Sequence, residues 1–266
     1  GDYNVAIGWG AASGATAAGD HSVSIGYLAG KINSGQYNVI IGSDAAPAST
    51  AMGSAVVIGR QAGLDLSTSN QTGVIIGALA GSSITDGAEN ALLGFYAGKN
   101  GNFNYSTILG HQAGEDNTAD YVTMVGWQAG AENTAGTRLT AFGAGALKTN
   151  TTGNQNVAVG YVALGLNVHG YNNTAVGNAA LYNTAPADGE GDNTAVGYYA
   201  GYGNTTGTGN VFIGKFAGYD QTTDDNKLFI ANSETATPLI GGDFSAGTVT
   251  IAGTLSATAK SFNIEH

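Results

Sequence analysis

Few residues in this chain have the types and spacing that chemistry needs. The four histidines, His21, His111, His169 and His266, are scattered and show no metal-ligand spacing. There is no cysteine, which excludes disulfides and thiolate metal sites. Nucleophile-elbow and phosphate-loop motifs are missing, and Gly-rich pieces such as Gly207–Gly209 repeat a turn found elsewhere in the chain. Carboxylates do gather: Glu115, Asp116 and Asp120; Asp188, Glu190 and Asp192; Asp220, Asp224 and Asp225. Oxygen-rich turns of this kind can hold a structural cation such as calcium. The calcium-roll nonapeptide is missing, however, and solvated surface turns are the simpler account. A carboxylate pair for sugar hydrolysis is the other chemistry they suggest. Such sites usually sit on long irregular insertions, whereas even the longest repeat step, from Gly177 to Gly197, barely exceeds its neighbours. The expectation is a chain with no catalytic residue, no cofactor and no required metal.

Aromatic residues make the better candidates. Phe95, His111 and Trp127 follow one another at equal steps, each directly after a Gly. If these steps are stacked rungs, the rings align about 4.8 Å apart and can offer their faces to a sugar. The competing account is that they pack over neighbouring turns or between chains.

The elements that would position them come from a repeat. A Gly preceded by an apolar triplet recurs at Gly8, Gly26, Gly42, Gly59, Gly77, Gly94, Gly110, Gly126, Gly143, Gly160, Gly177, Gly197 and Gly214, and Ala231 holds the same place in a degenerate fourteenth copy. The spacing is nearly constant, shortest in steps such as Gly94 to Gly110 and longest from Gly177 to Gly197. Taking this Gly as position 0, position −1 is always bulky and apolar, and position −3 is Val or Thr in 12 of 14 copies. These two share a strand face, and their β-branched bias favours strand over helix. Asn is common at −4, where it suits a turn entering a strand. Position +3 is Ala in all thirteen Gly copies, so its size is restricted; Gly follows it in eight, which suggests a bend with positive φ. Such a period holds two short strands and two turns, but no ordinary helix. Stacking gives an all-β parallel β-solenoid with rungs of ~17 residues, a flat two-sided roll about 65 Å long at ~4.8 Å per rung. A three-sided β-helix would show an apolar anchor every six residues, whereas the anchor here comes once per rung.

Position −2 lies on the opposite face. It is large and apolar in eight copies, Ile40, Val57, Ile75, Leu92, Ile108, Met124, Phe212 and Phe229, and Ala or Ser in the other six. With −1 and −3 assigned inward, these eight face outward and predict obligate self-association. Left wet, they would forfeit on the order of 10–20 kcal/mol, and the stripe would exceed what a soluble monomer tolerates. The same assignment turns Thr107, Thr123, Thr140, Thr174 and Thr194 inward, away from any flat water- or ice-facing array.

Composition agrees with an ordered, exposed repeat. Of 266 residues 44 are Gly and 3 Pro, without the strict period of collagen. A hydrophobic share of 42% is too high for disorder. The formal charge of −11 makes a poor ligand for nucleic acid or anionic lipid. No apolar run approaches the ~20 residues of a membrane helix, so membrane insertion is not expected. The period stops after Ala231, giving a stalk over residues 1–231. Residues 232–266 read as a short β neck, with strands broken at Gly241-Gly242, Gly247 and Gly253, ending in KSFNIEH as if cut within an element.

The units NVAIG, SVSIG, NTAVG and NVFIG, each with Ala at a fixed distance, resemble the left-handed parallel β-roll of trimeric bacterial adhesin heads. NTAVGYYAGYGNTTGTGNVFIGKFAG resembles more closely the stalks of phage tail fibres and phage-like tail proteins, and KSFNIEH is similar to the opening of an endosialidase-type intramolecular chaperone. The resemblance implies a homotrimeric fibre segment at a cell exterior or tail-like particle surface. It would present a receptor-binding surface, with a cell-surface glycan as the expected partner. Alternatives are a tail-spike-like glycan hydrolase and a bacterial adhesin head.

Overall fold

The fold comes from a computed structural model, which describes residues 3–14, 20–50, 52–67, 73–186 and 189–254. Its described residues form sixteen short strands, joined in chain order in one sheet, and no helix. From β1 (Val5–Ile7) to β14 (Lys227–Ile230) each strand pairs parallel with the next and in register, as in Thr107↔Thr123, Ile108↔Met124 and Leu109↔Val125. The chain is an all-β parallel β-solenoid in which one repeat makes one rung.

Each rung carries one strand, not the two expected. After Gly110 (φ 142) the chain passes through Gln112 (φ 55) and Gly114 (φ 50). Left-handed residues two apart cannot build an extended strand. Rung-to-rung bonding nevertheless continues, since the Gln112 N–H donates to the Phe95 carbonyl and the Gly114 N–H to the Ala129 carbonyl, both at 2.9 Å. Gly110 itself is required twice over: its φ is positive, and a Cβ there would run into the Gly126 carbonyl. The eight glycines at +4 all have positive φ, as the repeat suggested.

The two strand faces are the reverse of the sequence expectation. Ile40, Val57, Ile75, Leu92, Ile108, Met124, Phe212 and Phe229 are 0–9% exposed and form the inside of the roll. They are core residues, so they cannot be an interface between chains. Positions −1 and −3 face outward: Ile7, Leu93, Phe142, Val176, Val196 and Ile213 at −1 are 37–57% exposed. The Thr column with Thr107, Thr123, Thr140, Thr174 and Thr194 faces outward with them, half-buried or exposed.

The reason lies in how the interior is filled. Position +4 faces the −2 residues of its own and the next rung; a Cβ on Gly114 would meet Ile108 Cδ1 at 2.9 Å and Met124 Sδ at 3.0 Å. Gly at +4 therefore accompanies a large −2 residue on its own rung or the next, as Gly30 does with Ile40 and Gly201 with Phe212. Where −2 shrinks to Ala141, Ala158 and Ala175, position +4 becomes Leu147, Leu164 and Leu181, all fully buried. Close packing fixes the sum of facing volumes, so the variable position can be the buried one. The size-restricted Ala column is buried as expected, with Ala29 through Ala217 at 0% exposure.

Beyond β14 the sheet reverses. β15 (Ile240–Asp243) and β16 (Thr248–Ile251) add as antiparallel strands. Gly241 and Gly242 lie inside β15, opposite Phe229 and Leu228, where a break was expected. The Lys227 ammonium anchors this turn on the Asp243 carboxylate at 2.6 Å. Leu255 and the KSFNIEH segment lie outside the described residues.

Candidate functional site

The aromatic column after the Gly is exposed, and part of it stacks. Phe95 and His111 lie 5.2 Å apart at 28°, and Phe95 also stacks on Tyr96 at 3.9 Å. Trp127, one rung further and 52% exposed, has no ring contact among the described residues. The structure thus brings two of the three expected residues together and leaves the third as a separate exposed ring.

A denser cluster, not singled out from the sequence, lies near the C-terminal end. At +5 the rungs carry Tyr182, Tyr202 and Tyr219, stacked at 5.5 and 5.2 Å with planes within 7°. At +2 they carry Val162, Ala179, Tyr199 and Phe216. Tyr199 contacts the rings of Tyr198, Tyr202, Phe216 and Tyr219 at 4.5–6.1 Å. One rung earlier its column holds only Ala179, and a cleft of about 240 Å³ opens there, lined by Tyr161, Val162, Ala179, Tyr182, Tyr199 and Tyr202. Burial, reinforced by Tyr198, pushes the Tyr199 phenol above its ordinary value, so it remains a neutral hydroxyl. The sequence signal for it is four tyrosines at repeat offsets +2 and +5, away from the variable +1 position.

Four of the clustered carboxylates bond to neighbouring rungs. Asp120 accepts from the Asn104 N–H at 2.7 Å, and Asp225 accepts from the Thr208 N–H at 2.8 Å. Asp192 accepts from Asn172 at 3.0 Å and Asp116 from Asn100 at 2.7 Å. Each caps a neighbouring rung. Among the described residues no three His, Asp or Glu side chains converge as a metal site would require; Asp188 lies outside those residues.

Buried asparagines do similar work. At −4, Asn156 Oδ1 accepts from the Asn173 N–H (2.9 Å) and Asn173 Oδ1 from the Asn193 N–H (3.1 Å). At +7 a second ladder runs from Asn167 Nδ2 to Asn150, from Asn150 to Asn133 and from Asn133 to Asn117, at 2.6–3.0 Å. Thr184 interrupts this second ladder, and Asn167 Oδ1 is left without a donor. Compared with known proteins, the chain matches no family model, no curated protein and no solved structure.

Proposed function

We propose that this chain is a segment of a homotrimeric, fibre-like stalk, similar to phage tail fibres, that spaces and presents a glycan-binding surface at the exterior of a cell or particle. It acts by shape and attachment, not by catalysis. The observation that carries the reading is the outward strand face. A solenoid wall meeting only water would be polar, yet position −1 stays Ile, Leu, Val or Phe in every copy. Six of these side chains are about half exposed. Each half side chain is worth about 0.7–1.5 kcal/mol, which makes on the order of 4–9 kcal/mol per chain recoverable by burial. That is comparable to the whole net stability of a domain. The face runs the length of the array in one register, so a second and third copy lying alongside bury it continuously. The number three is what the resemblance to tail fibres implies.

Electron microscopy of the native particle tests the reading. Rods with three solenoids side by side are expected. Single-chain rods would overturn it. A reducing-sugar assay on surface glycans separates binding from cleavage; sugar release that depends on an acidic residue would replace attachment with hydrolysis.

A further inference from the structure

We propose that the tyrosine-lined cleft over Ala179 is a binding site for a single neutral pyranose ring. The inference rests on the glycan-binding reading above and assigns it a place and a ligand class. Three observations carry it. First, the cleft opens where the ring-bearing stretch of the +2 column ends. Rings fill position +2 at Tyr199 and Phe216, and Val162 stands on the other side, so Ala179 leaves a slot one rung wide with the open side of the Tyr199 column facing it. At about 240 Å³ the slot falls just below the ~300–1,000 Å³ of sites that enclose drug-sized ligands, a size for one ring and not for an extended chain.

Second, the lining matches a sugar. Four of its six residues are tyrosines, which present apolar ring faces with hydroxyls at the edge. A pyranose is the complementary object, with a C–H face and a rim of hydroxyls. No charged side chain lines the cleft, so nothing there favours an acidic or basic sugar.

Third, the site is rigid before a ligand arrives. Tyr182 and Tyr202 stack within 6° of parallel, and Tyr199 is braced by Tyr202 at 4.9 Å and by Phe216 at 5.8 Å. Pre-ordered rings reduce the entropy lost on binding. All six lining residues lie outside the strand face assigned to self-association.

The test uses the whole chain and saturation-transfer NMR with methyl glycosides of glucose, galactose, mannose and N-acetylglucosamine, and N-acetylneuraminic acid as the charged comparison. Two variants alter the cleft without disturbing the fold. Ala179→Leu fills the slot and Tyr199→Leu removes the ring; Leu28 and Leu79 already occupy the same repeat position with φ 54 and 59. At least one neutral glycoside is expected to show saturable transfer, weakened tenfold or more in both variants and unchanged in Phe244→Ala, an exposed ring outside the cleft. Binding unaffected by Ala179→Leu but lost in Trp127→Ala would overturn the cleft and leave the glycan reading at the Phe95–Trp127 column. Saturable binding of N-acetylneuraminic acid alone would overturn the neutral-ligand assignment. No saturable binding by any of the five would overturn this inference together with the glycan-binding reading on which it rests.

Discussion

Exchanging volume between positions −2 and +4 tests the packing rule directly. The rung of Gly143 is the place to do it, because it is the first of the Ala/Leu type after a run of large/Gly rungs. Leu147 is fully buried at φ 52, and Ala141 is fully buried on its own rung. Leu147→Gly alone removes a filled core volume; Leu-to-Ala changes cost about 2–5 kcal/mol. Relief of the left-handed backbone returns about 1 kcal/mol. Ala141→Ile alone overpacks against Leu147 and costs about 1–3 kcal/mol. The double variant recreates the arrangement of Ile108 over Gly114, extending the large/Gly block by one rung. It should lie within about 1 kcal/mol of the wild type, a coupling of about 2 kcal/mol or more. Thermal unfolding of the four proteins reads this at about 2–4 °C per kcal/mol for a chain of this size. A double variant whose loss equals the two single losses added together would refute the facing-volume argument.

The inner and outer faces should respond oppositely to polar substitution. Leu92, Ile108 and Met124 changed to Ser should each cost about 2–5 kcal/mol and lose folded circular dichroism, whereas Val176→Lys with Val196→Lys should keep the spectrum and lower the particle mass. Thr184→Asn should supply the missing donor to Asn167 Oδ1, gaining about 1 kcal/mol, read as a melting-point rise of about 2–4 °C. A hydrogen bond from Lys227 holds the Asp243 carboxyl below its ordinary value, and the Ala246 N–H adds to this. A group lowered in the folded state stabilises above its unfolded value, so protection of β15 and β16 against hydrogen exchange should fall below about pH 4. Lys227 is raised by the same partner, and its share should be lost above about pH 10.4. Asp243→Asn should flatten both limbs.

The repeat made most of the fold legible. Periodicity located the strands: Ile108 and Met124, one repeat step apart in sequence, pair one above the other. The Ala column and the positive-φ glycines also follow from residue type, because size limits and left-handed backbone each leave a narrow choice. Which face turned inward was not legible from hydrophobicity, since both faces are apolar. Invariance at −1 suggested an interior, but the interior is where Ala141 and Leu147 can trade volume, and the flat outer face is where the residue type does not change. That signal is a correlation between −2 and +4 within the repeats. The second strand failed because residues such as Gln112 adopt left-handed φ, which residue type alone does not announce. The tyrosine cleft escaped because it depends on the absence of a side chain at Ala179 between columns.

Sedimentation equilibrium of the native chain at micromolar concentration tests the central point, that the apolar outer strand face is covered by copies of the same chain. The expected mass is three times the 26.5 kDa of one chain, unchanged on moderate dilution. A particle of one chain mass, with its full native spectrum intact, would contradict it.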